Sequence, residues 1–124
     1  IERPPLPALA LTTDTSALTA IGNDYDYSQI FVKQLQALGK AGDIALAIST
    51  SGNSVNVVAA IETCQQLKIT TIGLTGGSGG KMVGKVDYLL RAGEGKNSAR
   101  IQETHILVGH VICDIVEQQL FPAK

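Results

Sequence analysis

The densest group of potential ligand-binding side chains in this 124-residue chain is Ser49-Thr50-Ser51-Gly52-Asn53-Ser54. It interrupts an apolar run, "DIALAI", and is followed by a resumed apolar periodicity, "VNVVAAI". A turn needs two or three such residues, and this stretch has six. Where a helix begins, its first N–H groups have no partner within the helix, and the positive end of the helix dipole lies there. The N–H groups of Gly52, Asn53 and Ser54, with the hydroxyls of Ser49, Thr50, Ser51 and Ser54, would therefore suit an anion such as phosphate. The plainer alternative is a serine-rich turn with Ser54 as N-cap. Donor density after a buried strand favours the anion site. The stretch is not a Walker A loop, because no lysine follows its glycine, and it is not G-x-G-x-x-G.

Three other places could contribute chemistry. "TGGSGGK" (75–81) could be a second phosphate loop, but four glycines fit better a turn that brings the chain close to its neighbours. Asn23 and Asp24, in "IGNDYDYS", are either a polar turn capping the next helix or a pair for sugar hydroxyls. The long C-terminal helical pattern holds Gln102, Glu103, His105 and His110. At about 100° and 1.5 Å per residue, Gln102 and His110 lie about 80° apart around the axis and about 12 Å apart along it. They would flank an extended ligand, and would meet at one ion only through a helix bend or another subunit. His105 is about 140° from His110, so the two histidines should not share one site. A lone histidine in an apolar helix is more often a core or interface residue.

The elements that must position these groups follow from hydrophobic patterning. Segments 6–13, 43–50 and 69–76 are apolar runs ending in small polar residues, with 86–92 a weaker fourth. Continuous runs suit strands covered on both faces, as in a parallel sheet. Between them, Ile30, Phe31, Leu35 and Leu38 mark one helix, stopped at Gly39; Val55, Val58, Ala59, Ile61 and Leu67 mark a second. The third, 98–121 with Ser98 as N-cap, carries Ile101, Val108, Ile112 and Ile115 on one face and Leu107 and Val111 on another. A helix apolar on more than one face packs between neighbours or in a subunit interface. The alternation predicts an α/β domain over 1–124, a three-layer doubly wound parallel sheet flanked by helices, with "GEGK" (93–96) a loop. Ligands in such sheets bind beyond the carboxyl ends of the strands, where 49–54 lies.

Ten basic and eleven acidic residues give a net charge of −1, and aromatic residues make up only 4%. The basic stripe and stacking platforms of a nucleic-acid binder are missing. No apolar stretch approaches the roughly 18 residues that span a bilayer, and nothing reads as a signal peptide. Cys64 and Cys113, far apart in sequence, read as reduced core cysteines of a cytoplasmic protein. The opening "IERPPLPALAL" has no initiator methionine and reads as the C-terminal portion of a longer chain.

Taken together, "AISTSGNSVNVV", "LTGGSGGKM" and "ARIQETHILVGH", preceded by "ERPPLPALAL" and "IGNDY", resemble the bacterial phosphoheptose isomerases over essentially the whole chain. These are sugar isomerase (SIS) domain proteins of Rossmann-like, flavodoxin-like architecture. The resemblance implies conversion of sedoheptulose 7-phosphate to D-glycero-D-manno-heptose 7-phosphate through a cis-enediolate, for the heptose of lipopolysaccharide. It also implies a cytoplasmic homotetramer and bound zinc. By the same resemblance, Ser49, Thr50, Ser51 and Ser54 hold the phosphate, and Asn23 and Asp24 contact substrate. Gln102 is shared by substrate and metal, and His110 is catalytic and metal-ligating. The family's N-terminal helices, its C-G-N-G-G-S-like loop, and a helix with a histidine and the catalytic glutamate would all precede Ile1. A chain no longer than this one is therefore expected not to isomerise. A related regulator that binds the replication initiator DnaA is the alternative, and His110 argues for the isomerase. A sugar-phosphate-sensing SIS module is a third reading.

Overall fold

Strand β2 (Thr70–Gly76) has parallel neighbours on both edges, β1 (Ile44–Ile48) and β3 (Tyr88–Ala92), in the order β1-β2-β3. The structure is a computed structural model that describes residues 2–93 and 97–122. Registers run from Ile44↔Thr70 to Ile48↔Leu74 and from Ile72↔Tyr88 to Gly76↔Ala92. Among the described residues, four α-helices accompany the strands: α1 (Thr15–Asp24), α2 (Ile30–Leu38), α3 (Val55–Leu67) and α4 (Ser98–Leu120).

Alternation along the strands divides the side chains between two faces. Ala45 lies on the face against α2 and α3, where buried Leu35, Cys64 and Ile69 pack with Leu11, Ala45, Ala60 and Leu67. Ile72, Leu74 and Leu90 point the other way, toward Leu107, Val108 and Val111 of α4. Helices thus cover both faces, as the alternation predicts. The connection from β2 to β3 carries no α-helix. A 3-10 turn, Gly80–Met82, buries Met82 completely beneath the bare Gly73.

Burial on both faces holds only for β2. On β1, Ile44, Leu46 and Ile48 are 69%, 47% and 50% exposed, because α4 lies across β2 and β3. The run 6–13 corrects the prediction further, for it forms no strand. Pro4, Pro5 and Pro7 lack N–H donors for a ladder, and Leu9 is 67% exposed. Its neighbour Arg3 is anchored instead, with its Nε 3.0 Å from a Glu117 carboxylate oxygen on α4. The Arg3 guanidinium holds the Glu117 carboxyl below its ordinary range.

The helices also differ in detail from their predicted patterns. Asn97, not Ser98, caps α4, its side chain accepting from the Ala99 N–H at 2.9 Å. On α2, Val32 and Gln34 are buried while Leu38 is 59% exposed. Gln34 is satisfied there by the carbonyls of Leu11 and Ile30, at 2.9 and 2.8 Å. Leu107, Val111 and Ile115 of α4 remain largely exposed, since the sheet covers them only in part. No helix is long and apolar enough to cross a membrane among the described residues. Of the 93–96 loop, 94–96 lie outside the described residues.

Asp87 fastens the start of β3 to β2. Its carboxylate accepts from the Thr71 N–H and hydroxyl at 2.7 and 2.8 Å, and its own N–H donates to Thr71 Oγ1 at 3.0 Å. These donors hold the carboxyl below its ordinary value of 3.8. A lowered folded value stabilises the native state above the unfolded value, and this contribution disappears as pH falls through the folded one. Asp87→Ala is therefore expected to flatten the fall in Tm that the parent shows on acidification below about pH 4. Thr71→Val, at a side chain 1% exposed, is expected to cost about 1–2 kcal/mol in urea unfolding.

Candidate functional site

The 49–54 loop hangs from β2 by its backbone. The Ser49 N–H donates to the Leu74 carbonyl and the Gly76 N–H donates to the Thr50 carbonyl, both at 3.0 Å. A tight turn follows, with the Gly52 N–H on the Ser49 carbonyl at 3.0 Å and Gly52 at φ +67°. Ser49 is buried, and its hydroxyl lies 2.9 Å from that of Ser54. Thr50 is half-buried, and Ser51 is exposed at the rim. The loop leads directly into α3, as predicted.

Donor use within the loop corrects the sequence expectation. The Asn53 N–H is taken by the Ser51 hydroxyl at 3.1 Å, and the Ser54 N–H reaches Ser49 Oγ only at 3.5 Å. Ser54 is the N-cap residue of α3, as the capped-turn alternative has it, but makes no side-chain cap bond to the helix. The Val57 N–H bonds the Asn56 side chain at 2.9 Å, and the Val58 N–H bonds the Ser54 carbonyl at 2.9 Å. At the start of α3, the N–H groups without a protein acceptor among the described residues are those of Val55 and Asn56, one turn later than Gly52 and Asn53. A short loop satisfies its own first donors, and the helix end supplies the rest. Those two N–H groups, the Ser49–Ser54 hydroxyl pair and the dipole of a 13-residue helix can hold an anion without any charged side chain.

The glycine-rich segment 75–81 packs against this loop. A Cβ on Gly52 would overlap the Gly79 carbonyl oxygen and stand 3.0 Å from Thr75 Oγ1. A Cβ on Gly80 would stand 2.7 Å from Asn53 Oδ1, which already accepts the Lys81 N–H at 3.1 Å. The close-approach reading of these glycines holds. Behind them, His105 is 5% exposed and its Nε2 lies 3.1 Å from the Thr75 carbonyl oxygen. Sequence reasoning passed over His105 and Thr75 as site residues. The signal was that His105 falls four residues after the buried Ile101, on the same helical face.

The remaining expected site residues lie on the surface. Asn23 and Asp24 end α1, exposed, with the Asn23 amide donating to the Asp24 carboxylate at 2.9 Å. They do not cap the next turn, which Asp26 caps through the Ser28 N–H at 2.8 Å. That bond holds the Asp26 carboxyl below its ordinary range. Gln102 and His110 are exposed on α4 and make no side-chain hydrogen bonds among the described residues. No hydrogen bond joins these four residues to the 49–54 loop. A zinc site takes three or four protein ligands. Gln102 and His110 offer two, about 12 Å apart along the axis, and no cluster of three or more His, Cys, Asp or Glu exists among the described residues. The residues present do not by themselves form a zinc site.

Residues 1–76 match the SIS domain family. The phosphoheptose isomerase of Aneurinibacillus thermoaerophilus is 54% identical over 123 residues, which cover 99% of this chain and 62% of that protein. The phosphoheptose isomerase of Shewanella loihica is 56% identical over 98% of this chain and 63% of that protein. Among solved structures, a phosphoheptose isomerase from Francisella tularensis superposes with a TM-score of 0.90 at 50% identity, over 94% of this chain and 62% of that one. GmhA from Neisseria gonorrhoeae gives 0.84 at 50% identity, over 87% and 61%. The chain thus spans about three-fifths of the length of these relatives.

Proposed function

The chain belongs to the SIS domain family, and from that premise we propose that it forms the phosphate-holding part of a phosphoheptose isomerase. The reaction converts sedoheptulose 7-phosphate to D-glycero-D-manno-heptose 7-phosphate, supplying lipopolysaccharide heptose. The observation that carries this reading is the uncharged anion site at the start of α3. The names of relatives more than 50% identical supply the substrate. None of those relatives bears a regulator's name, so binding to DnaA is not favoured.

The loop would bind the 7-phosphate through the Val55 and Asn56 N–H groups and the serine hydroxyls, fixing one end of an extended sugar. Asn23 and Asp24 would take sugar hydroxyls, and Gln102 would orient the carbonyl end. The proton removed from C1 of the ketose is returned to C2 of a cis-enediolate, with His110 as an acid/base partner. Zinc would need ligands beyond Gln102 and His110. Exposed Ile44, Leu46 and Ile48 on β1, with Leu107 and Val111 on α4, support burial against further protein, and the reading includes assembly into a cytoplasmic homotetramer.

The test is binding and turnover of sedoheptulose 7-phosphate by the full-length protein. Ser49→Ala with Ser51→Ala is expected to weaken sugar-phosphate binding by about 10²–10⁴-fold in calorimetry, the loss of two hydrogen bonds to a charged group. Unchanged affinity would place the phosphate elsewhere, and no turnover by the parent would sink the isomerase.

A further inference from the structure

The peptide unit joining Thr75 to Gly76 is held at both ends by different parts of the fold. Its N–H donates to the Thr50 carbonyl in the loop at 3.0 Å, and its C=O lies 3.1 Å from His105 Nε2 on α4. A carbonyl only accepts, so the His105 Nε2 is the donor in this bond. The helix also rests on the bare backbone at this point, since a Cβ on Gly76 would overlap Ile101. Thr75 is fully buried, with its hydroxyl beneath Gly52 of the loop. Among the described residues, the two buried side-chain atoms without a partner are Thr75 Oγ1 and His105 Nδ1. Leaving a buried polar atom unpaired costs free energy that a leucine at position 105 would not incur. The histidine's distinctive contribution is its directed bond to the Thr75 carbonyl.

We propose that His105 is a positioning residue that ties α4 to the floor of the 49–54 loop, a role that rests on this loop holding phosphate. Gln102 and His110 lie about 4.5 Å and 7.5 Å from His105 along the same helix. A strut at His105 therefore sets where these two groups stand relative to a substrate anchored by its phosphate. Without it, α4 can slide or rotate over Gly76, and the reacting end of the sugar loses its alignment while its phosphate stays bound. Misplacement of about 1 Å at a reacting centre costs on the order of 100-fold in rate.

The test compares His105→Leu and His105→Gln with the parent in the full-length protein. His105→Leu is expected to lower kcat for sedoheptulose 7-phosphate by about 10–100-fold, with KM changed by less than about threefold and Tm unchanged or raised. The Gln amide can donate to the same carbonyl, so His105→Gln is expected to recover at least about tenfold of that loss. A kcat for His105→Leu within about threefold of the parent, or no recovery with Gln, would overturn the assignment. A parent that neither turns over the sugar nor binds inorganic phosphate would refute the phosphate reading instead. Amide exchange at Gly76 then tests the strut alone. It is expected to be about tenfold faster in His105→Leu than in the parent and His105→Gln, and equal rates in all three would overturn it.

Discussion

Gly52→Ala is expected to lower unfolding free energy by about 2–5 kcal/mol and to weaken sugar-phosphate binding by more than about 30-fold. Two causes add. Gly52 is at φ +67°, where a Cβ costs roughly 1–2 kcal/mol. That Cβ would also overlap the Gly79 carbonyl oxygen. Relief requires the 49–54 and 75–81 backbones to separate, an overpacking cost of about 1–3 kcal/mol. Separation moves Ser49, Ser54 and the start of α3 away from one another, so binding falls with stability. Gly77→Ala is the control, because Gly77 is also at positive φ, +53°, but a Cβ there meets nothing within 4 Å. It should show only the conformational cost and leave binding intact. Urea unfolding and calorimetry on both variants decide the matter. Equal losses would mean that the packing of the two loops contributes nothing.

The same contrast explains how much the sequence could reveal. Runs of apolar residues locate strands 43–50 and 69–76, and periodicity locates α2, α3 and α4, because burial imposes these patterns directly. The run 6–13 carries the same composition and forms no strand. Pro7 removes a ladder donor there and Pro4 and Pro5 just before it remove two more, and hydropathy does not register a missing N–H. On β1 the identical pattern leaves Ile44, Leu46 and Ile48 exposed, because sequence shows which residues prefer burial and not which neighbour covers them. The anion loop was legible as a cluster of donors, but which donors stay free was not. That depends on turn geometry, which consumes the Gly52 and Asn53 N–H groups and, at the start of α3, leaves those of Val55 and Asn56. Cap choice at α4 failed for a similar reason. Asn97 and Ser98 are both good caps, and only the backbone decides between them. His105 was hidden because its role depends on a carbonyl 30 residues away.

In the full-length protein, His110→Ala is expected to lower kcat for sedoheptulose 7-phosphate by about 10²–10⁴-fold, the usual contribution of a positioned acid/base group. His110 is exposed and its side chain makes no hydrogen bond among the described residues. Its removal should therefore change stability by no more than about 0.5 kcal/mol. A large rate loss with an unmoved Tm would thus belong to chemistry and not to folding. His105 offers the opposite case on the same helix, since it is buried and bonded to the backbone of β2. The split between kinetic constants carries the rest of the argument. A fall in kcat and kcat/KM together marks an interaction made in the transition state, whereas a rise in KM alone marks ground-state binding. The second outcome would leave His110 as a sugar contact. An unaffected variant would remove His110 from the mechanism altogether and leave the α3 phosphate site as the chain's contribution to the reaction.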